Sequence, residues 1–147
     1  MTVKPIPDGY HNVTPYLVVR GAEKLLDFLV SAFGADETVR MRKGDGSVAH
    51  AEVRIGDSVV MVGEASADWP PMPAVIHLYQ TDADATYRRA LDSGATSLRE
   101  PTNEFYGDRM AGVKDPLGNV WWIATHVEDI PPDEMAQRAE EWAAQQQ

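Results

Sequence analysis

The chain has 147 residues, the length of one ordinary domain, and 44% of them are hydrophobic, enough for a sizeable core. Lys and Arg number 13 against 23 Asp and Glu; the net charge of −10 argues against a nucleic-acid partner and suits a cationic ligand. The absence of cysteine excludes disulfides, thiolate nucleophiles and zinc–thiolate sites. The N-terminal MTVKPIPDGYHNV lacks the apolar core of a signal peptide. No apolar run approaches the ~18 residues of a membrane span, so no membrane association and a cytoplasmic location are expected.

Residues 1–13, with Pro5, Pro7 and Gly9, read as an extended arm. TPYLVVR (14–20) is β-branched and apolar, the pattern of a strand. Ala22, Leu25, Leu26, Leu29 and Phe33 then follow a helical period, and Gly34 suits the left-handed position after a helix end. ETVRMRK (37–43) and SVAHAEVRI (47–55) flank a GDG hairpin turn, and VVMV (59–62) reads as a buried strand. DWPPMP (68–73) interrupts the pattern, since three prolines fit neither a helix nor a strand ladder. AVIHLYQ (74–80) is again a strand, and Ala83, Tyr87, Ala90, Leu91 and Gly94 again a helical stripe. ATSLREP (95–101), GDRMAGVKD (107–115) and NVWWIATH (119–126) follow as strands. In the tail, 130–147, Pro132, Asp133 and Glu134 suit a helix start, and Met135, Ala139, Trp142 and Ala143 form a thin apolar face that needs a surface to dock on.

The pattern repeats. Gly34-Ala35 recurs as Gly94-Ala95, and Gly56-Asp57 before VVMV recurs as Gly118-Asn119 before VWWI. An α+β fold follows, with a first βαβββ module over 14–67, a second over 72–128, and a C-terminal helical tail.

Two tandem βαβββ units resemble the vicinal oxygen chelate superfamily, which includes glyoxalase I, bleomycin-resistance proteins, fosfomycin-resistance enzymes and extradiol dioxygenases. TPYLVVRGAEKLLDFLVSAFGA, HAEVRIGDSVVMV and FYGDRMAGVKDPLGNVWWIATH carry the resemblance, and look like the glyoxalase-like branch often found near phosphonate-utilisation genes. The resemblance implies curled mixed sheets that face each other around a pocket, and a homodimer. In metal-dependent members the ligands are His, Gln or Glu from strand one and Glu from strand four of each unit. Carried over, these positions fall on or near Thr14, Met61, Val75 and Trp122, none a good ligand for a divalent cation. No cofactor is therefore expected at the family positions. Trp122 would face the pocket and Trp121 the core.

Three functions are compatible with these residues. The first, and preferred, is binding of a small cationic or aromatic molecule against Tyr16, His77, Tyr79, Tyr106 and Trp122, with Arg109 recognising a carboxylate or phosphate. Tyr10, His11 and Trp69 would join them at the mouth. The second is a metal enzyme, a lyase, isomerase or dioxygenase, with a divalent cation on a relocated His50, Glu52 and His77 site. The third is a metal-free isomerase, with His50 as base and Glu52 beside it on the same strand face. Arg54 and Val48 are expected on that face too.

Overall fold

The computed structural model describes residues 2–146, so Met1 and Gln147, the ends of the expected arm and tail, lie outside the described residues. Eleven elements follow in chain order. The first module holds β1 (Tyr16–Val19), α1 (Ala22–Phe33), β2 (Asp36–Arg42), β3 (Val48–Ile55) and β4 (Ser58–Glu64). The second holds β5 (Val75–Tyr79), α2 (Ala83–Asp92), β6 (Thr96–Asn103), β7 (Asp108–Lys114) and β8 (Val120–His126). Helix α3 (Pro132–Gln145) ends the chain. The strands form two four-stranded mixed sheets, ordered β1-β4-β3-β2 and β5-β8-β7-β6. The α+β class, the two βαβββ units and the C-terminal helix all match the sequence reading.

Helices α1 and α2 each turn their apolar stripe onto the sheet of their own module. Helix α1 buries Leu25, Leu26, Phe28, Leu29 and Phe33, and each such side chain contributes roughly 1.5–3 kcal/mol on leaving water. Its start has no side-chain cap from Gly21. Instead the Glu64 carboxylate, at the end of β4, accepts from the Gly21 and Ala22 N–H groups at 3.0 Å, placing a negative charge at the positive end of the helix. The second module does the same with other residues: Thr125, at the end of β8, accepts from the Ala83 N–H at 2.8 Å, and Asp82 caps Ala85 at 3.1 Å.

The two helices also pack on each other. Ser31 bonds Ser93 at 2.8 Å, and Arg89 donates to the Ala32 carbonyl at 3.3 Å. Phe33, at the end of α1, packs against Trp121 of β8 with ring centres 4.8 Å apart and planes tilted by 54°. One core thus unites both helices with the inner sides of both sheets. The sheets do not close around a shared pocket within one chain, because their helix-covered sides meet and their other sides are left open.

Two details set which residues reach those open sides. Between Met41↔His50 and Arg42↔Val48 the β2–β3 register shifts, a bulge at Ala49. The bulge reverses the alternation, so Val48 is 1% exposed in the core instead of sharing the face of His50, as simple alternation implies. The proline-rich linker lies along β1, the edge strand of the first sheet, and pairs with it once: the Met72 N–H donates to the Val18 carbonyl at 3.1 Å. Helix α3 has no buried residue. It is held by Arg138, which reaches the Phe105 carbonyl at 3.1 Å and Glu128 at 2.9 Å, and by Trp142 resting against Phe105.

Candidate functional site

The open side of the first sheet carries a connected polar row. The His50 Nε2 lies 2.8 Å from Glu52, and its Nδ1 lies 3.1 Å from the Tyr16 hydroxyl. The other Glu52 oxygen accepts from the Tyr10 hydroxyl, brought in by the N-terminal arm. Those two hydrogen bonds, Tyr10 first and His50 second, hold the Glu52 carboxyl below its usual range against the effect of burial. The same contact with Glu52 raises the Tyr10 phenol. Arg54, two residues on, donates to the Gly9 carbonyl at 3.3 Å and so clasps the arm, not Glu52. Tyr16 fits because position 63 is glycine: a β-carbon there would stand 2.8 Å from the Tyr16 oxygen.

The open side of the second sheet is aromatic where the first is polar. Val75, His77 and Tyr79 alternate outward along β5, all three exposed, while Ile76 and Leu78 turn inward. The His77 and Tyr79 rings meet at 4.9 Å. Of the tryptophan pair, Trp121 is fully buried and donates to Asp115 at 2.9 Å, whereas Trp122 is half-buried on the open side. Trp122 lies flat over Gly112 of β7, where a β-carbon would come within 2.3 Å of the indole.

The strand pairings show which positions correspond. Tyr16 and Glu52 both lie beside Met61; His77 and Gly112 both lie beside Trp122. The strand-one residues facing the strand-four positions are thus Tyr16 and His77, each two residues beyond Thr14 and Val75. Where module one has Tyr16, Glu52 and Met61, module two has His77, Gly112 and Trp122.

On β7 Asp108 shares the open side with Trp122, and Arg109 turns to the helix side, where it forms a bidentate pair with Asp84 of α2 at 2.6 and 3.0 Å. That pair holds the Asp84 carboxyl below its usual range. Tyr106 sits half-buried in the β6–β7 loop, its hydroxyl 3.6 Å from the Met110 sulfur, and burial pushes its phenol up.

Asp108 brings in residues that the sequence reading passed over. It is 4% exposed and accepts from the Tyr79 hydroxyl at 2.9 Å and from His126 at 2.8 Å; the other nitrogen of His126 meets Asp129 at 2.7 Å. Asp108 and His126 are 18 residues apart and are neighbours only through the β7–β8 register, so no local motif marks them. Asp108 first and Asp129 second raise the His126 imidazole above its ordinary 6.5. A raised folded-state value means that the contribution to stability is complete below the unfolded pKa and is lost as pH rises through the folded one. Melting temperatures measured across neutral pH should show this decline in the native protein, and His126→Gln should flatten it.

Two hollows lie where the modules meet, and each touches the second sheet's open side at one β5 residue, His77 or Tyr79. One of about 240 Å³ is lined by His11, Thr14, Val59, Ile76, His77 and Trp121. The wider one, about 720 Å³, is bounded by Phe33, Gly56, Tyr79, Gln80 and His126. Neither includes His50, Glu52 or Trp122. Exposed Trp69 belongs to the linker.

Comparison with known proteins identifies the arrangement. The model of the glyoxalase/bleomycin resistance protein/dioxygenase superfamily matches residues 10–123. The chain belongs to this superfamily. An uncharacterized protein of Mycobacterium tuberculosis is 36% identical over 137 residues, 84% of this chain and 79% of that protein. Two solved structures share the superfamily fold. TioX of Micromonospora sp. ML1 has a TM-score of 0.68 at 22% identity, covering 80% of this chain and 99% of that one. TnmS3, an antibiotic binding protein of Streptomyces sp. CB03234, has a TM-score of 0.63 at 23% identity, covering 86% and 98%. At such identities the likeness concerns the fold alone.

The divalent metal implied by the superfamily does not fit the residues at its positions. Tyr16, Met61, His77 and Trp122 together offer one imidazole, one thioether and two aromatic side chains. Of the relocated set, His50 and Glu52 are together and His77 is on the other sheet. Among the described residues no group of three or more His, Asp or Glu is placed to hold a metal ion. No helix among them is long and apolar enough to cross a membrane.

Proposed function

We propose that this superfamily member binds a small, aromatic or cationic organic molecule between the open sides of two copies of the chain. The observation that carries the reading is the pair of uncovered sheet sides, one polar and one aromatic, which do not meet within a chain. In a homodimer the first module of one copy would face the second module of the other. Each of two pockets would then have a wall with Tyr16, His50 and Glu52 and a wall with His77, Tyr79 and Trp122. An indole face and phenol rings suit a flat ligand, and the carboxylates with the net charge of −10 suit a cationic one. The exposure of Val75 at 70%, Tyr79 at 59% and Met41 at 57% is more apolar surface than a sheet side in water usually keeps. The antibiotic-binding activity named for TnmS3 is in keeping with this use of the fold.

Light scattering on eluting protein should give twice the 16.2 kDa chain mass. Titration with cationic aromatic compounds should quench tryptophan fluorescence. A single-chain mass without quenching would overturn the reading. So would one tightly bound metal ion per chain in untagged protein, lost in His50→Ala.

A further inference from the structure

The polar row on the first sheet has more order than a binding wall needs. Its hydrogen bonds run one way. Glu52, 9% exposed, accepts at one oxygen from Tyr10, and its other oxygen is 2.8 Å from the His50 Nε2. A carboxylate can only accept, so Nε2 carries a proton, and in the neutral imidazole Nδ1 then presents its lone pair. That lone pair faces the Tyr16 hydroxyl at 3.1 Å. The acting end is therefore Tyr16, which is 49% exposed on β1, at the edge of the first sheet. A hydroxyl, a base and a carboxylate that fixes the base's tautomer make up the logic of a catalytic triad. Gly63 gives the phenol its place, and Tyr10 occupies the carboxylate oxygen that would otherwise compete for solvent.

We propose that Tyr16, His50 and Glu52 form a metal-free proton-transfer site whose substrates are carbonyl compounds with a hydrogen on the carbon next to the carbonyl. The phenolic proton of Tyr16 passes to His50 Nδ1, and the imidazolium is balanced by Glu52. The phenolate oxygen then takes the substrate's α-hydrogen. The C–H bond breaks, a phenol O–H bond forms, and the released electron pair becomes the enolate. Return of the proton to either face of that carbon, or to a neighbouring one, gives exchange, epimerisation or isomerisation with no oxidant or co-reactant. Tyr16 touches the substrate; His50 and Glu52 act through it. The three residues are assembled within one chain, so the chemistry does not need the dimer, although the same residues form one wall of the pocket proposed above.

The test is deuterium uptake by hydroxyacetone, pyruvate and phenylpyruvate in D₂O, followed by proton NMR with full-length, chelator-treated protein. At least one should exchange about a hundredfold or more above the buffer rate, the ordinary contribution of a positioned acid–base group. Tyr16→Phe should return the rate to that of buffer while near-ultraviolet circular dichroism stays native. Glu52→Gln should shift the pH profile of exchange as well as lower its rate, which a merely structural role would not do. No exchange with any of the three, or exchange unchanged in Tyr16→Phe, overturns the proposal. Exchange without tryptophan quenching would leave this site standing and remove the binding reading; quenching without exchange would do the reverse.

Discussion

Asp115→Ala should lower the melting temperature by on the order of 10 °C or more. Asp115 is 4% exposed at the start of the turn between β7 and β8, and its carboxylate organises the whole turn. One oxygen accepts from the Leu117 and Asn119 backbone N–H groups at 2.8 and 3.1 Å. The other accepts from the Asn119 side chain at 3.0 Å and the Trp121 indole at 2.9 Å. Asn119 in turn accepts from the Ala74 N–H at 3.0 Å, tying the start of β5 to the same point. Asn119 and Trp121 are fully buried, so alanine strands donors that water reaches poorly. Each stranded donor costs about 1–3 kcal/mol, and a total of roughly 3–5 kcal/mol is expected. In a domain of this size that corresponds to the stated drop. Differential scanning calorimetry decides it; Asp115→Asn should lose less, because it keeps acceptor oxygen at one of the two sites. A change of less than about 2 °C for alanine would show that the turn is held by other means.

Trp122→Ala should weaken ligand binding about tenfold or more, with little loss of stability. The indole is half-buried and lies on the open side, so its removal leaves no closed cavity in the core. A large aromatic at the centre of a contact is where binding energy concentrates, and tenfold corresponds to about 1.4 kcal/mol. Trp122→Phe should keep part of the affinity by retaining a flat face. Gly112→Val offers an independent check that leaves the tryptophan in the chain: any β-carbon at 112 collides with the indole ring, so the ring must swing away. Isothermal titration calorimetry on the three variants, with a compound that quenches the native protein, measures these effects. Full affinity in both Trp122→Ala and Gly112→Val would take the indole out of the site.

The fold was legible from periodicity because α1 and α2 each have an apolar stripe and β1, β4, β5 and β8 each a short apolar run with β-branched residues. The division of the tryptophan pair was legible too, since neighbouring residues on a strand point to opposite sides. Alternation failed at Val48, where a bulge inserts one residue that no composition signal announces. It also set Arg109 at the ligand, whereas Arg109 turns to the helix side, because Asp84, 25 residues away on α2, offers the guanidinium a bidentate partner there. His50 and Glu52 were visible as an i, i+2 pair, whereas their links to Tyr16 and Tyr10 span 34 and 42 residues and exist only once the sheet and arm are in place. The cluster of Tyr79, Asp108, His126 and Asp129 was hidden for the same reason. Glu64 at the start of α1 is a further case: a helix cap supplied from 43 residues away lies beyond any local capping rule.

The linker that crosses β1 bears on how the protein avoids aggregation. An edge strand is a row of unused backbone donors and acceptors, ready to recruit a strand from any passing chain. Here one of those groups, the Val18 carbonyl, is taken by Met72, and the flanking Pro70, Pro71 and Pro73 have no N–H with which to extend the ladder outward. The segment that joins the modules thus also terminates the first sheet. A linker of equal length with glycine and serine in place of these prolines would still join the modules, but it would leave a template on which fibrous or domain-swapped assemblies could grow.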